Sequence, residues 1–212
     1  MAQVTIPAEG YWSTLSDLIN ANFDELYYQS KQGWVDLLAN LNNASGLPAA
    51  AQPDNVLFAD NGAGSTGIYA KAFSATIIEN LLVTFHIPHG IADEIIYPHI
   101  HWAPSNTNTG VVRWGIEYVY AKGYEQQAFG NTSIIYIEQA ATGTTKQHQI
   151  TETADPGITV SGLETDGLLV CRIFRDATHA NDTYNADAFG LYCDLHVQQD
   201  RRTTPNRNYP FD

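Results

Sequence analysis

Two histidines one residue apart, His99 and His101 in the stretch IIYPHIHWAP, are the residues whose type and spacing could most directly do chemistry. Imidazole nitrogens bind transition metals and exchange protons near neutral pH. On a β-strand, residues two apart point to the same face, so the two rings would lie side by side. A zinc or iron site needs a third and usually a fourth N, O or S ligand converging on the same point. His196, in FGLYCDLHV, could supply one, but HIHWAPSNTNTG offers no carboxylate and the next is Glu117.

Strand parity bears on the same question. Ile96, Ile100 and Trp102 fall on one face of the stretch, and Tyr97, His99 and His101 on the other. The apolar set reads as the core side, which points the histidines away from the interior. The HxH pair resembles the start of the cupin metal motif. That family implies inward-pointing histidines, a glutamate a few residues on and a further histidine on a later strand. This sequence departs from it in both the parity and the missing glutamate. The expectation is therefore no metal, no cofactor and no catalytic residue. A cupin-like metal-dependent enzyme using His99, His101 and His196 stands as the alternative. Without a metal, the pair is expected on an outer strand face, covered by a neighbour or hydrogen-bonded to tyrosines.

Other catalytic patterns are weaker. GAGSTG is glycine-rich but lacks the GK[ST] ending of a phosphate-binding loop, so it reads as a turn. Neither GxSxG nor HExxH occurs. Cys171 and Cys193 sit in apolar strand-like runs outside any CxxC pattern, and read as buried thiols rather than a bridge or a nucleophile.

The elements that must position these residues are mostly strands. From residue 73 onward, strand-like runs recur near 75–87, 93–102, 111–121, 132–139, 146–152, 157–161, 167–175 and 188–198. Turn-rich pieces such as PSNTNTG and ATHANDTYNAD separate them. Short strands at that spacing, with no helices between, predict an antiparallel β-sandwich of jelly-roll type over residues 73–212, ending in an extended tail. In FGLYCDLHV, alternation puts Phe189, Leu191, Cys193, Leu195 and Val197 on one face and Tyr192, Asp194 and His196 on the other.

Residues 1–46 read differently. Leu15, Leu18, Ile19, Phe23 and Leu26 recur at three- and four-residue steps, the stripe of an amphipathic helix. Gly33 reads as a break, and Trp34, Leu37, Leu38 and Leu41 repeat the pattern over a second short helix. Such an arm is too small to bury its own stripe. Asn22 falls beside the seam, where a buried amide can set register and chain number. Leu15, Leu18, Ile19, Asn22, Phe23 and Leu26 are thus the expected oligomerisation residues. Residues 47–72, rich in small residues with two prolines and four glycines across the NASGLPAAAQPDNVLFADNGAGSTG stretch, read as a linker with a short strand at VLFA.

Composition narrows the partners. A net charge of −13 with only 10 Lys and Arg disfavours nucleic acid. No apolar run reaches the roughly 18 residues of a membrane helix, and the N-terminus MAQVTIPAEG carries no mark of a secretion signal.

The phrase Ile19-Asn20-Ala21-Asn22-Phe23-Asp24-Glu25-Leu26 is similar to the helical start of tailed-bacteriophage virion proteins, where it precedes a trimeric fibre or decoration domain. YPHIHW and RWGIEYVYAKGYEQ also resemble β-rich phage structural proteins. The resemblance implies a non-enzymatic structural protein of the virion. It would be a homotrimer docked on capsid or tail proteins through its N-terminal helices, of decoration, head-fibre or tail-knob type. Its alternative is a carbohydrate- or receptor-binding module of a fibre. In that reading a host glycan is the further partner, and exposed Tyr and Trp near loops 103–110 and 176–187 are its platforms.

Overall fold

The computed structural model describes residues 19–22, 33–47 and 50–199. Its strands are β1 (Gly33–Asn40), β2 (Ser45–Gly46), β3 (Asp54–Ala59), β4 (Ile68–Phe73), β5 (Asn80–His86), β6 (Ile91–Pro104), β7 (Val111–Ala121), β8 (Ser133–Ala140), β9 (Gln149–Glu152), β10 (Ile158–Thr159), β11 (Leu168–Arg175) and β12 (Ala188–Gln199). Two antiparallel sheets form a sandwich. Sheet A runs β10–β6–β12–β4–β3, with β1 also on β12 and β9 also on β6. Sheet B runs β2–β5–β11–β7–β8. All eight predicted strands are present. No helix among the described residues is long and apolar enough to cross a membrane, a statement that leaves β-barrels aside.

The second predicted helix is a strand. Gly33–Asn40 pairs along its whole length with β12, Trp34 opposite Gln198 and Leu38 opposite Asp194. Its sequence carries two periods at once. Trp34, Leu37, Leu38 and Leu41 fit a helix, but Val35, Leu37 and Ala39 also alternate, and those three pack against the core. The open edge of β12 decides between them, because a strand there satisfies a row of backbone groups that a helix would leave unpaired. A 3-10 turn at Leu41–Asn43, closed by the Asn40 carboxamide accepting from the Asn42 N–H at 2.9 Å, then carries the chain from sheet A to β2 in sheet B. Residues 33–46 therefore belong to the sandwich and not to a helical arm. The stretch read as a linker likewise holds the β3–β4 hairpin, with GAGSTG in its loop. Of the expected oligomerisation residues, Ile19 and Asn22 are helical and exposed, while Leu15, Leu18, Phe23 and Leu26 lie outside the described residues, as does the C-terminal tail.

The core lies where the inner faces meet. Trp102 of sheet A and Trp114 of sheet B are both fully buried, with ring centroids 6.3 Å apart. Phe73 meets Trp114 edge-on at 5.1 Å. Each such aliphatic or aromatic side chain contributes about 1.5–3 kcal/mol by leaving water. At one end of the sandwich Arg175, fully buried, forms a two-pronged pair with Asp182 at 2.9 and 2.7 Å. Its remaining N–H groups donate to the carbonyls of Phe73, Tyr184 and Ala186. The guanidinium thus ties the end of β11 in sheet B to the end of β4 in sheet A.

On the outer face of sheet B the arginines are tied into ion pairs. Arg113 pairs with Asp176 and Glu138 and lies over the Tyr136 ring. Arg172 pairs with Glu117 and lies over Phe174. Gly115 sits between those rings, where a Cβ would come within 2.1 Å of Phe174. The outer face of sheet A is organised differently.

Candidate functional site

Four strands of sheet A, β9, β6, β12 and β1, carry the histidine cluster on its outer face, and their register sets its grid. One row across the strands reads Glu152, His99, Asp194 and Leu38. The row toward one end reads Tyr97, His196 and Asp36, and the row toward the other reads Ile150, His101, Tyr192 and Asn40. Parity put His99 and His101 on this outer face, and the structure agrees: Ile96, Ile100 and Trp102 are buried in the core behind them.

The register also supplies the carboxylates that the local sequence lacked. Asp194 comes from β12, opposite His99, and Glu152 from β9 on its other side. His99 Nε2 lies 3.1 Å from His101 Nε2 and 2.7 Å from Asp194 Oδ1. His101 Nε2 lies 3.3 Å from Asp194 Oδ2. Behind His101, its Nδ1 is 2.7 Å from His148 Nε2. His196, the expected third histidine, does not join this convergence: its ring lies 4.1 Å from that of His99, and its nitrogens face Glu152 at 2.5 Å and Asp36 at 3.0 Å. Among the described residues, the groups whose ligand atoms could hold a metal are His99, His101 and Asp194, and His99, Glu152 and His196.

Burial is uneven across the cluster. The His99 and Asp194 side chains are 1% and 5% exposed, and that of His101 is 22% exposed. Burial pushes the His99 imidazole toward neutrality, but the adjoining Asp194 carboxylate outweighs it and holds its pKa above the ordinary value. For His101 burial prevails, helped by the neighbouring imidazoles, and its pKa falls below the ordinary value. The two neighbouring rings are thereby shifted in opposite directions. The tyrosine partners expected for the pair are not what holds them: carboxylates and other imidazoles do.

Around the cluster runs a groove. One depression of about 710 Å³ is lined by Trp34, Tyr97, Asp36, Glu152, Asp155 and His196 among others. A second of about 410 Å³ opens over the His99–Asp194 cluster, and a third of about 340 Å³ continues past His101 and Tyr192 to Tyr69 and Phe58. Adjacent depressions share wall residues, so they form one trough. Trp34 is 55% exposed and meets Tyr97 edge-on at 5.5 Å. Burial and the nearby Asp155 carboxylate raise the Tyr97 pKa, which keeps its phenol neutral. From the Gln198 level of β12, where Trp34 pairs, to Tyr192 the groove runs roughly 20 Å, six residues at about 3.3 Å each.

The loops expected to present aromatic platforms do not. Trp102 and Tyr184 are fully buried, the Tyr184 hydroxyl being fixed by the backbone and side chain of Asn106. Trp34 and Asp36 were missed as site residues because their segment read as helix. Asp194 was visible on the polar face of FGLYCDLHV, but nothing local tied it to His99. The thiols of Cys171 and Cys193 are buried and unpaired; burial pushes Cys171 up to about 12 and Cys193 well above its ordinary value, so neither serves as a thiolate.

No family model matches the chain, and no curated protein does. Among solved structures it is similar to the CBM35 module from Cellvibrio japonicus Abf62, at 12% identity and a TM-score of 0.40, over 76% of this chain and 92% of that one. It is also similar to TmCBM61, solved with β-1,4-galactotriose, at 16% identity and a TM-score of 0.31, over 82% and 93% of the two chains. A non-crystalline cellulose-specific carbohydrate-binding module, CBM28, matches at 9% identity and a TM-score of 0.27, over 73% and 93%.

Proposed function

We propose that this chain is a carbohydrate-binding module that takes an extended glycan along the outer face of sheet A. The observation that carries the reading is the trough itself, in which exposed and half-exposed aromatic rings alternate with carboxylates and imidazoles on the outer face of sheet A. A pyranose ring presents C–H groups on its faces and hydroxyls at its rim. Aromatic side chains such as Trp34, Tyr97 and Tyr192 offer negative π faces to the C–H groups. Asp36, Glu152 and Asp155 accept from neighbouring hydroxyls, and the phenol of Tyr97 both donates and accepts. For a neutral glycan, binding of this kind depends little on salt.

The test is an array of neutral and acidic glycans probed with the full chain, followed by calorimetry on the best ligand. Replacing Trp34 with alanine is expected to cost about 2 kcal/mol, roughly thirtyfold in affinity. Leu168→Ala, on sheet B, should leave affinity unchanged. An empty array, or binding that survives Trp34→Ala intact, removes the proposal.

A second reading concerns the whole chain, which the resemblance to phage proteins casts as a virion component, trimeric through its N-terminal helices, that carries this module outward on a particle. Ile19 favours it, being helical and 44% exposed. Light scattering of the full chain should give three times the monomer mass, falling to one in an Ile19→Asp/Phe23→Asp variant. A monomeric parent chain would remove self-assembly from the account.

A further inference from the structure

We propose that His99, His101 and Asp194 bind a divalent first-row transition ion of the zinc class, with its open side toward the groove. The inference does not rest on the glycan reading; it follows from how three side chains from two strands converge. Around a tetrahedral zinc with Zn–N bonds of about 2.0–2.1 Å, neighbouring ligand atoms lie roughly 3.3 Å apart. The His99–His101 and His101–Asp194 separations of 3.1 and 3.3 Å match that edge, and the His99–Asp194 edge is shorter at 2.7 Å.

The buried polar atoms point the same way. Asp194 Oδ1 is fully buried with no hydrogen-bond partner, although His99 Nε2 is 2.7 Å away. The two atoms are close enough to share either a proton or an ion. A buried carboxylate oxygen left unsatisfied costs about 1–3 kcal/mol or more, and a cation between the three groups removes that cost. His148 completes the arrangement. If His101 donates its Nδ1–H to His148 Nε2, its Nε2 lone pair is free to face the ion; an outer partner of this kind is the usual support of a metal-bound imidazole. The register brings all this about: His99 sits opposite Asp194, and His101 lies one row along the same face.

The mixed imidazole and carboxylate set selects among ions. Nitrogen donors favour zinc, iron, cobalt and nickel, whereas calcium and magnesium need oxygen ligands throughout. With three protein ligands, a tetrahedral ion keeps one position open. Leu38, Ile150 and Tyr192 line the depression above the cluster, so that position opens into the groove and not into the core.

The experiment is calorimetric titration of chelator-treated full-length protein with Zn²⁺ alone, paired with the visible spectrum of the Co²⁺ form. One ion per chain is expected, with Co²⁺ absorbing at the intensity of a low-symmetry four-coordinate site and Ca²⁺ and Mg²⁺ giving no heat. His148→Ala should weaken Zn²⁺ binding by about 10–100-fold, and His101→Ala by more. His86→Ala, at an exposed histidine on sheet B, should leave it unchanged. Asp194→Asn tests the carboxylate, and a circular dichroism melt of each variant separates lost binding from lost folding. No saturable Zn²⁺ binding in the parent chain, or binding that persists in a folded His101→Ala variant, overturns the site. Loss of Zn²⁺ binding with an unchanged glycan profile, or the reverse, tells its failure apart from failure of the groove.

Discussion

Replacing Asp182 with alanine is expected to remove about 3–5 kcal/mol from the unfolding free energy, the loss typical when one partner of a buried ion pair is deleted. For a domain of this size that is a large share of the total. The reason lies in what stays behind. Arg175 is fully buried, so its guanidinium charge has no water to fall back on. With Asp182 gone, its charge keeps the carbonyls of Phe73, Tyr184 and Ala186 and the Tyr184 ring but loses its hydrogen-bonded carboxylate. The Arg113 N–H, which donates to Asp182 Oδ2 at 3.0 Å, loses its acceptor as well. Asp182→Asn keeps the shape and removes the charge, so it should fall between alanine and the parent. Replacing both residues, as Arg175→Met/Asp182→Leu, should recover only part of the loss, because three carbonyls then lose their donor. Urea unfolding of the four proteins checks the series. A loss below 1 kcal/mol for Asp182→Ala would show that this end of the sandwich does not depend on the pair.

The outer face of sheet A shows what the sequence could and could not disclose. Strand positions from residue 73 onward were legible, because alternation and turn chemistry are local. Which face of β6 carries the histidines was legible for the same reason. Their partners were not. His99 meets Asp194 across ninety-odd residues of chain, through a register that only the folded sheet defines. Strand β12 adds a complication that alternation cannot foresee. A register shift between Gly190 and Tyr192 places Leu191 out of step. Cys193, Leu195 and Val197 do face the main core, but Phe189 and Leu191 pack on the other side, against Phe58 and Ala103. A bulge of this kind reverses parity in mid-strand. Without it, Tyr192, Asp194 and His196 would not share their outer face with Phe189, and the groove would lose its continuation toward Phe58.

The second helix expected over Trp34–Leu41 gave way to a strand for a different reason. Local propensity and a helical stripe pointed one way over Trp34–Leu41, and the unpaired edge of β12 pointed the other. Tertiary pairing overrides propensity whenever it satisfies backbone groups along a whole strand. That override has a functional consequence, since it lays Trp34 and Asp36 into the groove. A helix over the same residues would have left β12 an open edge and the trough without one wall.

The second large effect is expected at Trp114. Truncation to alanine should cost about 3–5 kcal/mol, the range for removing a buried aromatic side chain. The ring is fully buried and touches Phe73 and Trp102 edge-on, so it bridges both sheets. Phenylalanine at the same position should cost far less, and the comparison with Trp102 says why. Trp102 Nε1 donates to Thr151 Oγ1 at 2.8 Å and to Gln139 Oε1 at 3.0 Å. Trp114 Nε1 is buried and has no hydrogen-bond partner among the described residues. Changing Trp114 to phenylalanine removes an unsatisfied donor whose burial costs about 1–3 kcal/mol, which offsets part of the smaller ring's lost contact. Changing Trp102 to phenylalanine sacrifices two made bonds along with the same ring volume. Trp102→Phe should therefore destabilise the protein more than Trp114→Phe, even though both rings are equally buried. Chemical unfolding of the three variants decides the matter: a small loss in Trp114→Ala would mean the sheets do not meet through this ring, and the opposite order of the two phenylalanine variants would mean the indole N–H is not an unpaired group in the fold.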